Sequence, residues 1–302
     1  MPPIKTRKVR LSEIKRHLAL LLVGLLYGAN YSVVKTVTPE YIAPFGFIVV
    51  RVALAAALFW MIGLGIQQKI NWQEDGKRIV LCALFGVGIN MLFFFKGVSL
   101  TSAINGSIIM TLTPIMVFIT SALIIKERIT GLKITGLIAG FIGAFIIIYQ
   151  GMDKGYEGDW RGDVLVILNA MSYGAYLVLV KPLLSKYDPI TIAKWIFLIG
   201  FFIILPVGWG EFWEIKWSTL PSKTYLGMAY VILGVTFLVY IINIWAMKRV
   251  NPSTVGAYIY VQPVFAVVIA SLFYNETLTV IHLLAAIMVF TGVGLIVRPF
   301  KG

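Results

Sequence analysis

The chain has 302 residues, of which 59% are hydrophobic and only 13% charged, and it carries a formal net charge of +13. A water-facing surface needs about twice that density of charge, so a soluble enzyme, a disordered chain and a disulfide scaffold are excluded and a polytopic membrane protein remains. The excess of Lys and Arg sits in short loops and at the N-terminus, where it reads as a topology signal and not as a nucleic-acid surface; the single cysteine, Cys82, permits no intrachain disulfide.

Residues 1–17 are a basic N-terminal segment with Lys5, Arg7, Lys8, Arg10, Lys15 and Arg16. The apolar run behind it passes Tyr27 and Asn30 with no small-x-small cleavage site, so it is an uncleaved first span over 18–38. Nine further runs are long enough for a bilayer core: 42–66, 78–98, 103–125, 130–149, 163–182, 189–209, 225–247, 253–274 and 279–297. None alternates as a barrel strand would. Span 1 carries Tyr27, Asn30 and Tyr31, and span 2 carries Arg51 about 13 Å deep at about 1.5 Å per residue. Span 3 carries Asn90, and span 4 has Pro114 at its middle and Glu127 just past its end. Span 5 has a small-residue face of Gly136, Gly140 and Gly143, which suits close helix packing and leaves a homodimer seam open. The loop 150–162 is acidic, with Asp153, Glu157 and Asp159. Span 6 carries Asn169, Tyr173 and Tyr176, span 8 Tyr240 and Asn243, and span 9 Tyr258, Gln262 and Pro263, with Glu276 beyond its end. Span 10 has Gly292 and Gly294.

Ten spans with the N-terminus inside place 19 of the 26 Lys and Arg in inside segments and four in outside loops. That asymmetry puts both termini on the cytoplasmic side. The chain also repeats itself. At an offset of 149 residues Pro114 meets Pro263, Glu127 meets Glu276, Thr130 meets Thr279 and Gly143 meets Gly292. At an offset of 146, Tyr27, Gly28 and Ala29 meet Tyr173, Gly174 and Ala175, and Lys35 meets Lys181. Five spans per unit is an odd number, so the units 18–149 and 163–298 have opposite orientations, the arrangement of carriers that hold a site near the midplane. The fold expectation is therefore an all-α membrane protein of two inverted five-helix repeats, with residues 299–302 as a cytoplasmic tail.

The five-plus-five spans, the centred prolines of spans 4 and 9 followed by Glu127 and Glu276, and the run Val-Val-Arg51-Val-Ala-Leu in span 2 resemble the EamA family of the drug/metabolite transporter superfamily. The resemblance covers about 18–298. It implies a carrier in a cell (bacterial inner) membrane that exports or exchanges small metabolites, amino acids among them, through a central cavity. Span 7 lacks a counterpart of Arg51: Phe197 stands opposite it, with Lys194 nearby.

Residues three or four apart on a helix share a face, and buried amides in lipid must point inward. Tyr27, Asn30, Tyr31, Asn90, Asn169, Tyr173, Tyr176, Tyr240, Asn243, Tyr258 and Gln262 are therefore candidate cavity residues, joined by Arg51, whose guanidinium can hold a substrate carboxylate or phosphate, brace broken-helix carbonyls or reach Glu40. Pro114 and Pro263 each remove a backbone bond, which frees the carbonyls of Met110 and Ile259 and makes them candidates for a paired hinge or ligand-binding carbonyls, with a static packing kink as the plainer reading; Glu127 and Glu276 are gate candidates, with a loop ion pair in Lys126-Glu127-Arg128 as the plainer reading. None of the thirteen Asp and Glu lies near mid-membrane, which argues against a carboxylate proton relay and for facilitated diffusion or exchange. No metal-spaced His/Cys cluster, phosphate-binding glycine loop or nucleophile–base pair is present in the sequence, so no cofactor and no enzyme activity is expected. The expected partners are membrane lipids and a small-molecule substrate, not nucleic acid. Two other classes stay open on sequence alone: a channel or lipid scramblase without alternating access, and a non-transporting membrane scaffold.

Overall fold

A computed structural model describes residues 4–34, 37, 38, 40–66, 68–100, 109–150, 159–274 and 280–297. Among them no strand occurs, and the helices fall into ten helical units. These are α1 (Ile4–Val34), α2 (Pro44–Ile62), α3 (Trp72–Ala83, then a π-helical segment Leu84–Gly88, then Ile89–Leu100), α4 (Thr113–Ile124) and α5 (Gly131–Gln150). The second set is α6 (Trp160–Lys186), α7 (Pro189–Trp213), α8 (Ser222–Ala229, then a π-helical segment Tyr230–Leu238, then Val239–Met247), α9 (Pro252–Ala257, a 3-10 turn Tyr258–Tyr260, then Val261–Tyr274) and α10 (Val280–Val297). By length and composition the stretches Pro44–Gly65, Trp72–Gly97, Trp160–Lys186, Pro189–Trp213 and Ser222–Met247 can each cross a membrane. The helices are apolar on nearly all sides, and Leu54, Leu123, Ile138, Phe202, Leu226 and Leu283 project outward, as a lipid-facing surface requires. Trp209, Trp213 and Trp217 are exposed around the C-terminal end of α7, and Trp160 at the start of α6, which is where ring systems settle at a headgroup boundary.

Local chemistry starts the helices where they start. Asp188 and Asp159 accept hydrogen bonds from the backbone N–H groups of Ile190 and Arg161, both at 2.9 Å, and so cap α7 and α6. Proline opens α2, α7 and α9 in the first turn, where its missing N–H is harmless. Helix α2 lacks a local side-chain cap. Glu211 from the far end of α7 supplies one, its Oε2 accepting from the N–H groups of Phe45 (2.6 Å) and Gly46 (2.9 Å) and placing negative charge at the positive end of the helix.

The main inter-helix packing comes in matched sets. α2 lies along α7 and α5 along α10, while α3 and α4 pack on α6 as α8 and α9 pack on α1. Each helix is thus repeated by the one five places later. The α5–α10 seam is close enough that a Cβ at Gly136 would lie 2.6 Å from the Gly292 carbonyl oxygen, and one at Gly143 would lie 2.7 Å from that of Ala285. The glycine face of span 5 is therefore used inside the molecule, on α10 and on Tyr260, and not as a seam between copies. Beside the α2–α7 seam, Phe59, Phe197, Phe237 and Tyr240 form an aromatic cluster with ring centroids 4.7–4.9 Å apart.

Candidate functional site: a polar cavity between the two halves

Helices of both halves line a cavity of about 110 Å³, on a measure where about 10–15 Å³ holds one water. Its walls include eight of the polar positions singled out by sequence: Tyr27, Asn30, Arg51, Asn90, Asn169, Tyr173, Tyr240 and Gln262. Met91, Phe94, Phe95 and Val235 add apolar surface, and Met110, Thr113 and Ile259 complete the lining. The matched positions recur here. Tyr27 and Tyr173 are mates at the offset of 146; Met110 with Ile259, and Thr113 with Gln262, are mates at 149.

Three further positions lie elsewhere. Tyr176 is fully buried against Gly86, its ring tilted against those of Tyr173 and Tyr240 at 6.1 Å between ring centroids. Asn243 sits behind the wall, its Nδ2 donating to the Tyr173 hydroxyl at 3.4 Å. Tyr258 shares a 2.9 Å hydrogen bond with His17 Nδ1. The side chain of Tyr31, and Glu276 altogether, lie outside the described residues. Helical spacing cannot separate a cavity face from a helix–helix face, since both reward inward-pointing polar groups. The apolar lining residues gave no signal at all, because their types fill every span.

The polar lining divides by what it is bonded to. Asn90 and Asn169 exchange amide-to-carbonyl bonds, Asn169 Nδ2 to Asn90 O at 2.7 Å and Asn90 Nδ2 to Asn169 O at 3.5 Å, which ties α3 to α6. The Tyr240 hydroxyl donates to the Gly86 carbonyl at 2.6 Å. Gly86 lies in the π-helical segment of α3, where the i→i−4 ladder slips and needs outside partners. Arg51 Nε donates to Thr236 Oγ1 at 2.5 Å, and Thr236 in turn donates to Val231 O at 2.8 Å inside the π-helical segment of α8. So Arg51 braces the irregular helix of the other half and does not reach Glu40. Asn30 Oδ1 and Thr113 Oγ1, by contrast, are buried with no hydrogen-bond partner among the described residues.

The prolines act differently from a mid-helix kink. Pro114 stands in the first turn of α4, after a turn at Thr111 and Leu112, and Pro263 follows the 3-10 turn Tyr258–Tyr260. In each half the helix breaks and restarts at the proline, and the residues four before them, Met110 and Ile259, face the cavity.

Glu127 is more than a loop ion pair. Lys126 takes a left-handed conformation (φ 52°), and the Glu127 N–H turns back to Ser121 O at 3.2 Å. Its Oε1 then accepts from Lys133 Nζ (2.7 Å), from Asn251 Nδ2 (3.4 Å) and from Ser253 Oγ, so it crosses from the first half to the start of α9. Nearby, Lys181 Nζ donates to the carbonyls of Met247 and Val250 at the end of α8.

The whole chain has relatives built on the same plan. The model of the EamA-like transporter family matches it twice, over residues 14–149 and 160–298. An uncharacterized transporter of Archaeoglobus fulgidus is 26% identical, the alignment covering 94% of this chain and 99% of that one. The uncharacterized transporter YyaM of Bacillus subtilis is 23% identical over 94% of this chain and 93% of its own. A WAT1-related protein of Arabidopsis thaliana is 20% identical over 95% and 85%. Among solved structures, a crystal structure superposes with a TM-score of 0.73 at 16% identity, covering 93% of this chain and 96% of that chain, which shows the shared fold. With the family model accounting for both five-helix units, the chain belongs to the EamA-like transporter family and is a multi-pass membrane transporter.

Proposed function

We propose that this protein is a secondary carrier that moves a small polar or amphipathic metabolite, by export or exchange, through the cavity between its halves. The ten helical units are ten spans in two inverted repeats, with both termini cytoplasmic and the protein in a cell (inner) membrane. The cargo class begins with amino acids, which is the family expectation. One observation carries the reading: the cavity is lined by residues that are mates across the repeat, Tyr27 with Tyr173, Met110 with Ile259 and Thr113 with Gln262. A site on a pseudo-twofold axis is open to either side of the membrane by the same motion of either half. The helix breaks at Pro114 and Pro263 are the places where that motion is absorbed.

Counterflow in proteoliposomes tests the proposal. Vesicles are loaded with an unlabelled metabolite pool rich in amino acids, and labelled tracers are followed from outside. Transient accumulation above equilibrium is the expected result and belongs to alternating access. Rapid equilibration without overshoot would replace the carrier by a channel or scramblase.

A further inference from the structure

Arg51 is the one charged residue among the described residues that line the cavity, and it is only 8% exposed. Its Nε is spent on Thr236, and its guanidinium stands 5.9 Å from the centroid of the Phe95 ring. No carboxylate pairs with it among the described residues. A guanidinium cannot shed its proton, and a charge held out of water without a counter-charge is costly. An anion that enters the cavity would supply the missing counter-charge.

A second observation concerns the hydrogen-bonding groups around it. Part of the polar lining is bonded within the protein: Asn90 with Asn169, Tyr240 with Gly86 and Tyr173 with Asn243. Beside the guanidinium and the Tyr27 hydroxyl, two buried lining atoms have no hydrogen-bond partner among the described residues: Oγ1 of Thr113, a residue only 1% exposed, and Oδ1 of Asn30. A hydroxyl can donate to an anion, and an amide oxygen accepts an N–H or O–H. The mate of Arg51 in the other half is Phe197, fully buried against Phe59 and Tyr240, so no second cation faces the first from that position. One cation beside Phe95 and Phe94 suits a singly charged carboxylate with an apolar body better than a doubly charged phosphate ester.

We infer that Arg51 is the anchor for the carboxylate of a small amphipathic organic acid, with Thr113 and Asn30 completing its recognition. The inference deepens the carrier reading and rests on it only for calling the ligand a cargo.

The test is titration calorimetry on the full chain in detergent. The probes are acetate, isovalerate and phenylacetate, with the amides acetamide, isovaleramide and phenylacetamide as neutral isosteres. Phenylacetate is expected to bind about 10- to 100-fold more tightly than phenylacetamide, the worth of a charge-assisted hydrogen bond. Arg51→Gln is expected to bring the acid down to the level of the amide, and Arg51→Lys to keep part of the preference. If Arg51→Gln does not fold, the acid–amide comparison in the unaltered protein decides alone. Equal binding of acids and amides, no binding of any of the three acids, or an unchanged preference in Arg51→Gln would each overturn the anchor. Counterflow separates the two proposals. Acid binding without counterflow removes the carrier and leaves the anchor; counterflow of a cargo while acids and amides bind alike removes the anchor and leaves the carrier.

Discussion

Tyr27 and Tyr240 both present their rings to the cavity, but their hydroxyls are committed differently. Tyr240 holds the Gly86 carbonyl at 2.6 Å, at a point where the π-helical segment of α3 has lost its regular ladder. Tyr27 has no hydrogen-bond partner for its hydroxyl among the described residues. Tyr240→Phe leaves a buried carbonyl unsatisfied and is expected to destabilise by about 1–2 kcal/mol, read as an earlier thermal transition in detergent. Tyr27→Phe is expected to leave that transition in place and, on the proposed carrier reading, to lower the rate of counterflow, since its hydroxyl lines the proposed cargo site. A Tyr27→Phe variant that melted early while Tyr240→Phe did not would reverse these assignments. At this scale the sequence was readable where polarity is rare. Asn30, Asn90, Asn169 and Gln262 stand out because an amide in an apolar span must find a partner. Their bonding was not readable: Asn243 and Tyr240 lie three residues apart on one face, yet one lines the cavity and the other lies behind it. Thr113 passed unnoticed because a lone threonine in a span ordinarily returns its hydroxyl to its own helix, as Thr120 does to Met116 O at 2.8 Å.

Among elements, the α5–α10 pair shows how far packing rests on the absence of a side chain. A Cβ at Gly292 would stand 2.5 Å from the Gly136 carbonyl oxygen and 2.5 Å from the Gly140 nitrogen, both backbone atoms that cannot turn aside. Gly294, two residues on, meets nothing within 4 Å. Gly292→Ala therefore has to separate the two helices and is expected to destabilise by about 1–3 kcal/mol, while Gly294→Ala on the same helix is expected to be neutral. The thermal transitions of the two variants, measured side by side, check this; equal effects would mean that the seam is not the close contact described. Hydropathy located the helical units because a helix in lipid must be apolar along its length, and the mate relation Pro114–Pro263 pointed to both helix breaks. It did not show that each helix restarts at its proline, nor that α3 and α8 share a π-helical segment. Those segments are met by tertiary bonds, Tyr240 to Gly86 and Arg51 to Thr236, that no local pattern contains. They nonetheless fall at mates: Leu84, where the first begins, stands at the offset of 146 from Tyr230, where the second begins.

For the whole molecule, the question is what must part for the cavity to change sides. At the end bearing the α4–α5 loop, Glu127 of the first half is hydrogen-bonded to Asn251 and Ser253 of the second, and Lys181 holds the carbonyls that end α8. These bonds join the loop after α4 to the start of α9, the two helices that restart at Pro114 and Pro263. On the proposed carrier reading, a rocking motion about those breaks requires the Glu127 cluster to open once in each cycle. The pair Glu127→Cys and Ser253→Cys tests that requirement, because the one native thiol, Cys82, is buried and does not compete for a polar reagent. The double variant, carried in vesicles and treated with a short thiol-cleavable bis-thiol reagent, is expected to lose counterflow when bridged and to regain it when the bridge is reduced. Each single variant treated alike is expected to keep its flux, which rules out simple blocking by the reagent. A bridged protein that still gave overshoot would mean that this end stays shut throughout transport. The pathway would then not run between the halves, and the matched lining of the cavity would be left as a relic of duplication instead of the means of exchange.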